Sequence, residues 1–344
     1  MQAPTPALLR HGPRPWVQSR MLSEFSLISR YFDRPPRAGS RADLGIGDDC
    51  ALLRPAAGML TAISSDMLVE GRHFFPGADP RLLGHKCLAV NLSDLAAMGA
   101  EPVGFTLALA LPAADESWLA AFSEGLFALA DRHDCELIGG DTTRGPLTIC
   151  ITIFGDVPAG QALRRDGAQV GDDIWVSGTL GDARLALAGY RNEIAMDAPD
   201  LASAGVRMHA PEPRVALGLA LRGIAHAAID VSDGLAGDLA HILERSALGA
   251  TLDVDALPAG PVLCRQPLSL RRHYTLAGGD DYELCFTAPP ARRADVQAAA
   301  VRTACAVTRI GTMEAAPGLR LRDNTGASLM LQAQSFDHFS TPAP

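Results

Sequence analysis

Glycine and aspartate recur together at the edges of apolar runs, and this recurrence limits the folds open to the chain. Six short acidic segments stand out, four of them with glycine beside the aspartate: Gly45-Ile46-Gly47-Asp48-Asp49, Ser64-Ser65-Asp66, Asn91-Leu92-Ser93-Asp94, Gly139-Gly140-Asp141-Thr142, Asp230-Val231-Ser232-Asp233-Gly234 and Gly278-Gly279-Asp280-Asp281. Glycine lets a backbone turn tightly and approach a ligand. Aspartate supplies hard oxygen ligands, which suit Mg²⁺ rather than thiolate-loving metals. Because the segments lie far apart yet all adjoin apolar runs, they predict loops at strand ends that converge on one site, in an α/β (α+β) architecture.

At 344 residues, two domains are the natural expectation. The formal charge of −9 argues against non-specific nucleic-acid binding, which needs a basic face. Lys86 is the only lysine, and every other cation is arginine. Cys50, Cys87, Cys135, Cys150, Cys264, Cys285 and Cys305 are odd in number, contain no Cys-x-x-Cys pair and sit mostly in apolar stretches. They read as buried free thiols of a cytoplasmic protein. The longest apolar candidate, 105–111, ends at Pro112 and reads as a buried strand, well short of the roughly 18 residues of a membrane span. Residues 1–20 are rich in Pro and Arg and lack a signal-peptide core, so they read as a disordered extension or as the product of a start codon assigned too early. The expected domains are 21–157 and 158–344, with a linker within 157–171.

Periodicity predicts helices over 25–31, 82–98, 118–133 (with Asp115 as cap), 214–222, 235–246 and 293–303, and a helix ending near 190. Strands are predicted over 58–64, running into a Ser64-Ser65-Asp66 loop, and over 135–138, breaking at Gly139-Gly140. Further strands are predicted over 147–154, 173–177, 225–230 and 251–254, and near 274–276, 282–287 and 307–311. Residues 191–210 show no firm pattern and read as an irregular or helical insertion. A lone aspartate on the buried 82–98 helix would be costly without a partner, which makes Asp94 a ligand candidate.

Several familiar chemistries are excluded. No Gly-x-x-x-x-Gly-Lys loop occurs, Gly45-Ile46-Gly47 lacks the third glycine of a dinucleotide fingerprint, and Asp230–Gly234 has the wrong spacing for a calcium loop. No zinc helix and no nucleophile elbow is present. A single Gly-Asp pair is often just a turn; Asp141 could simply cap a turn and Asp233 the helix starting at 234. Six together point to carboxylates that meet phosphate through divalent cations, because bare aspartates would repel it. The residues alone therefore suggest a Mg²⁺-dependent enzyme acting on a polyphosphate such as ATP, without a P-loop.

The runs 24–33, Gly45–Leu53, Asp66–Phe74, Ala89–Ala100, Leu137–Pro146, Ile229–Gly234 and Gly278–Phe286 resemble bacterial thiamine-monophosphate kinases, across about residues 22–341. Asn91–Asp94 and Gly139–Thr142 alone would indicate only the wider aminoimidazole-ribotide-synthetase-like superfamily. The resemblance implies transfer of a phosphoryl group from ATP to thiamine monophosphate. It also implies a two-domain fold whose N-terminal strands pair across a homodimer into a β-barrel, with a C-terminal α/β domain. Carried over, the Mg²⁺ ligands would be Asp49, Ser64, Ser65, Asp66, Asp94, Asp141, Asp230 and Asp233. Gly140, Asp141, Arg165 and Ser232 would hold the nucleotide, and His73, Asp280 and Phe336 the thiamine substrate. Three positions depart from the family's usual residues: Ser65 for Thr, Asp280 for Glu, which shortens the side chain by one methylene, and Phe336 for Tyr or Trp. No catalytic base is expected, because the acceptor is an ionised phosphate monoester and catalysis would rest on positioning and charge neutralisation. The alternatives are a ribotide cyclo-ligase-like enzyme of the same superfamily and an inactive Mg²⁺–nucleotide sensor; selenophosphate synthetase finds no matching N-terminal Cys segment.

Overall fold

The computed structural model describes residues 23–331. The expected extension at 1–20 and Phe336 lie outside them. In chain order the elements are α1 (Glu24–Tyr31), β1 (Ala42–Leu44), β2 (Leu52–Leu53), β3 (Met59–Val69), α2 (Pro80–Ala97), β4 (Glu101–Leu111), α3 (Glu116–Arg132), β5 (Glu136–Arg144) and β6 (Thr148–Pro158). They continue with β7 (Asp173–Ser177), α4 (Asp182–Tyr190), α5 (Ala198–His209), α6 (Val215–Ala220), β8 (Ala227–Asp230), α7 (Leu235–Ser246) and β9 (Gly249–Asp253). The last are α8 (Leu268–Ala277), β10 (Leu284–Ala288), α9 (Arg293–Arg302), β11 (Val307–Glu314) and β12 (Gly318–Arg322).

The first half builds a four-stranded sheet in the order β3-β6-β4-β5, antiparallel except for the parallel β4–β5 pair. Its inner face carries Phe105, Leu107, Leu109, Ile149, Ile151 and Ile153, all buried against α2 and α3. The second half builds a six-stranded sheet in the order β12-β9-β11-β7-β10-β8. The 159–172 segment connects the two sheets without regular structure. Both nevertheless share a core, because α2 packs on β3 and β6 on one side and on β8 and α6 on the other.

Local chemistry explains the helix boundaries. Asp115 accepts from the N–H groups of Ser117 and Trp118 and starts α3; Asp79 does the same for α2, followed by Pro80 at the first helical position. Several expectations need correction. Ser64-Ser65-Asp66 is not a loop but the middle of β3, whose eleven residues pair throughout with β6. The strand expected to break at Gly139-Gly140 continues to Arg144: a bulge at Ile138 shifts the register, and Gly140, at φ 147°, keeps its place because a Cβ there would lie 1.9 Å from the Leu107 carbonyl oxygen. Residues 274–276 lie in α8, not in a strand. Of the two forms open to 191–210, irregular or helical, the helical one occurs as α5. Of the seven thiols, all free, Cys87, Cys135, Cys285 and Cys305 are buried, whereas Cys50 and Cys264 are exposed and Cys150 half-buried. Among the described residues no helix is long and apolar enough to cross a membrane.

Candidate active site

Helix α2 is buried along most of its length, so any polar group on it needs a partner inside the protein. The partners come from both halves of the chain. Lys86 Nζ donates to Asp280 Oδ2 at 2.6 Å and to the Met208 carbonyl at 2.8 Å. Asn91 Nδ2 donates to the Cys87 carbonyl at 2.9 Å, while its Oδ1 is buried with no partner among the described residues. The Ser93 hydroxyl donates to Asp230 Oδ2 at 2.8 Å, and the Ser64 hydroxyl donates to Asp94.

Strand alternation brings Ser64 and Asp66 to the α2 side of β3, and β8 ends at Asp230 beside them. The result is an acidic cluster. Burial, then the Asp94 charge and a hydrogen bond to Asp94, raise the Asp66 carboxyl. Burial also raises Asp94, against the pull of Ser64 and the Arg165 guanidinium. Asp230 is raised by burial and by Asp94, against the hydrogen bond from Ser93. Among the described residues no three or more His, Cys, Asp and Glu side chains are arranged around a common metal position; these carboxylates instead bond to each other and to Ser64 and Ser93. The donor set nonetheless fits Mg²⁺. It is all hard oxygen, it is half-buried at Ser64, Asp66 and Asp94 and buried at Asp230, and its negative charge is poorly compensated by the protein itself.

Not every expected ligand joins this cluster. Ser65 points to the outer face of the sheet, where its hydroxyl lies 2.9 Å from Thr152 Oγ1. Asp141 falls on that same outer face, in register with Ala108, Cys150 and Met67. Asp49 is exposed, with its N–H donating to Asp48 Oδ1 at 2.8 Å.

Two loops of the second half close over α2. In the first, the N–H groups of Ser232, Asp233 and Gly234 all donate to Asp238 Oδ2, at 3.0, 3.1 and 3.1 Å. Burial, followed by the Asp233 charge, pushes Asp238 up to about 7. The second loop, 278–282, is zipped to the first: the Asp280 N–H donates to the Ser232 carbonyl at 2.7 Å and the Tyr282 N–H to the Val231 carbonyl at 2.9 Å. The contact is so close that a Cβ on Gly279 would lie 2.4 Å from the Ser232 carbonyl oxygen. Burial and then the charges of Asp280, Asp230 and Asp66 push the Tyr282 phenol well up, and it hydrogen-bonds Asp280. After β3, the Val69 N–H donates to His73 Nδ1 at 3.0 Å, so the neutral ring carries its proton on Nε2.

Beside the cluster opens a cleft of about 410 Å³, lined among others by Ser64, Asp94, Arg164, Arg165, Asp166 and Arg245. Arg164 is held by Asp166 at 2.5 and 2.8 Å. The cleft thus joins cations to the edge of an acidic cluster, an arrangement suited to an anionic chain whose far end meets metal ions. Sequence reasoning missed Ser93 as a partner of Asp230, and also Asp238, Tyr282, Arg245 and the use of Lys86. Asp238 left a signal, an acid in the first turn of a helix; the partner of Lys86 lies 194 residues away and left none.

Comparison with known proteins places nearly the whole chain in one family. Residues 47–157 match the family model "AIR synthase related protein, N-terminal domain" and 169–324 the corresponding C-terminal domain. The chain is 49% identical over 325 residues to the thiamine-monophosphate kinase of Salmonella typhimurium, covering 93% of this chain and 99% of that one. It is similar to the crystal structure of thiamine-monophosphate kinase from Stenotrophomonas maltophilia (50% identity, TM-score 0.78, 82% and 91% coverage). It is also similar to AaThiL complexed with AMPPCP and TMP (28% identity, TM-score 0.73, 83% and 89% coverage).

Proposed function

The chain belongs to the thiamine-monophosphate kinase family, and from that premise we propose that it is a Mg²⁺-dependent cytoplasmic enzyme transferring the γ-phosphoryl group of ATP directly to the phosphate of thiamine monophosphate. The observation that carries the reading is the Asp66–Asp94–Asp230 cluster, which meets the arginine-bearing cleft at Asp94. ATP phosphates lie along Arg165, with Gly140, Asp141 and Ser232 as further nucleotide contacts. Asp66, Asp94 and Asp230, with Ser64 and Asp233, would hold Mg²⁺; Asp49 in the 45–49 loop, and Ser65 and Asp141 on the outer face of the sheet, stand apart from that cluster within one chain. When bound, the metal neutralises phosphate charge and aligns donor and acceptor oxygens.

The protein's own part is positioning. α2 holds Asp94 and, through Ser93, Asp230; Asp238 fixes the Ser232–Gly234 turn; the zipped 278–282 loop presents Asp280, and His73 presents Nε2, toward the acceptor. No side chain has to remove a proton, because the acceptor oxygen is already ionised. Two copies pair through the outer face of the four-stranded sheet, where Ile63 and Met67 are 63% and 56% exposed.

The test is an assay of the purified protein with ATP, Mg²⁺ and thiamine monophosphate, separating thiamine diphosphate by chromatography. Product that EDTA abolishes and that free thiamine does not replace is the expected result. Absence of product, or product insensitive to EDTA, overturns the reading.

A further inference from the structure

We propose that Lys86 is a positioning residue for the acceptor site: it fixes the Asp280 carboxylate by tying the 278–282 loop to the C-terminus of α5. Three observations carry this. First, Lys86 is the only lysine in a chain whose other cations are arginines, and its side chain is only 6% exposed. A buried ammonium persists only where its charge and its donors are matched. Second, both matches are specific. Asp280 Oδ2 supplies the countercharge at 2.6 Å, and the carbonyl of Met208, in the last turn of α5, supplies an acceptor at 2.8 Å. That carbonyl is among those a helix end leaves unsatisfied, and a cation there also complements the helix dipole. Third, Asp280 sits at φ 69°, a backbone conformation that non-glycine residues rarely adopt, so its placement depends on surrounding contacts.

An aspartate carboxylate stands close to its own backbone, so its location is set less by its reach than by what holds it. Lys86 is a compact charge on a long stem and can do this from the opposite side of the site. The same helix, α2, carries Ser93 and Asp94, so one rigid element sets both the acidic cluster and the acceptor carboxylate. The arrangement also gives α5 a role. His209, next to the anchoring Met208, lies close enough to Lys86 for the ammonium to depress its pKa, after burial as the first cause. Its ring contacts Tyr190, which packs edge-on against Phe75.

The inference rests on the proposed kinase reading for the identity of the acceptor, but not for the contact itself. The experiment compares wild type, Lys86→Met, Asp280→Asn and the double variant, all in the full chain. In Lys86→Met, KM for thiamine monophosphate should rise roughly tenfold or more while KM for ATP stays within about twofold. The double variant should match Asp280→Asn alone, since Lys86 acts through that carboxylate. Hydrogen exchange of the 278–283 amides should accelerate in Lys86→Met whether or not the protein phosphorylates anything. If wild type is inactive but exchange responds, the kinase reading falls and the positioning stands. Equal changes in both KM values, additive effects in the double variant, or unchanged exchange overturn the proposal. Should Lys86→Met fail to fold, the double variant, which removes both buried charges, is compared with Asp280→Asn; a difference in KM for the acceptor then overturns it.

Discussion

Asp94 illustrates how a residue's neighbours decide its chemistry. A carboxylate on a buried helix would ordinarily be replaced or neutralised; here it meets Ser64, Asp66 and the field of Arg165. Asp94→Asn keeps the size of the side chain and its ability to accept from Ser64, so the fold should survive, with a circular dichroism spectrum and melting temperature close to wild type. Turnover should fall by at least about 10²-fold, the scale of losing a preorganised electrostatic contact. Full activity in this variant would remove Asp94 from the metal set. The members of the cluster are legible in the sequence as residue types, because aspartate, serine and glycine adjoining apolar runs mark hard-oxygen chemistry. Which serine faces inward is not legible there: Ser64 and Ser65 are chemically identical, and only strand alternation separates them.

At the scale of elements, most of the regular structure follows from local signals. β7 over 173–177 and α7 over 235–246 coincide with their periodic runs, and α3 begins at the cap expected of Asp115. Local signals fail where pairing with a distant partner overrides a local breaker. Gly139-Gly140 does not end β5, because β4 supplies the ladder and tolerates a bulge there. Residues 274–276, β-prone in isolation, complete α8. The 278–282 loop is itself defined by a long-range contact, the approach of Gly279 to the Ser232 carbonyl. Gly279→Ala should therefore push the two loops apart. Denaturant unfolding should show a loss of roughly 1–3 kcal/mol from overpacking, and KM for the acceptor should rise more than KM for ATP. An alanine variant as stable and as active as wild type would show that the loops separate freely and that the contact is incidental.

For the molecule as a whole, the four-stranded sheet has one covered face and one open one. The open face carries Ile63 and Met67 on edge strand β3, and an apolar edge of this kind invites another strand unless a partner covers it. Met67→Glu should convert a dimer into monomers in sedimentation equilibrium, while leaving the inner face of β3 intact. A wild-type protein that is monomeric at micromolar concentration would argue against the paired barrel. Ser65 and Asp141 lie on this same face, so activity should fall together with dimerisation if they serve the site across the interface.

By itself, the sequence determined the chemistry and the class: hard-oxygen segments without a P-loop, two α/β halves, a negatively charged protein, and a motif set shared with one enzyme family. The tertiary structure decided which of those oxygens meet. Alternation along a strand sends Ser64 and Asp66 to one face and Ser65 to the other, and the register across β3, β6, β4 and β5 carries Asp141 to the second face. It also joined Lys86 to Asp280 and Ser93 to Asp230, across 194 and 137 residues. Residue type and local periodicity are properties of short stretches. Pairings at such separations are set by how whole elements pack, and a buried charge takes whichever partner the packing brings to it.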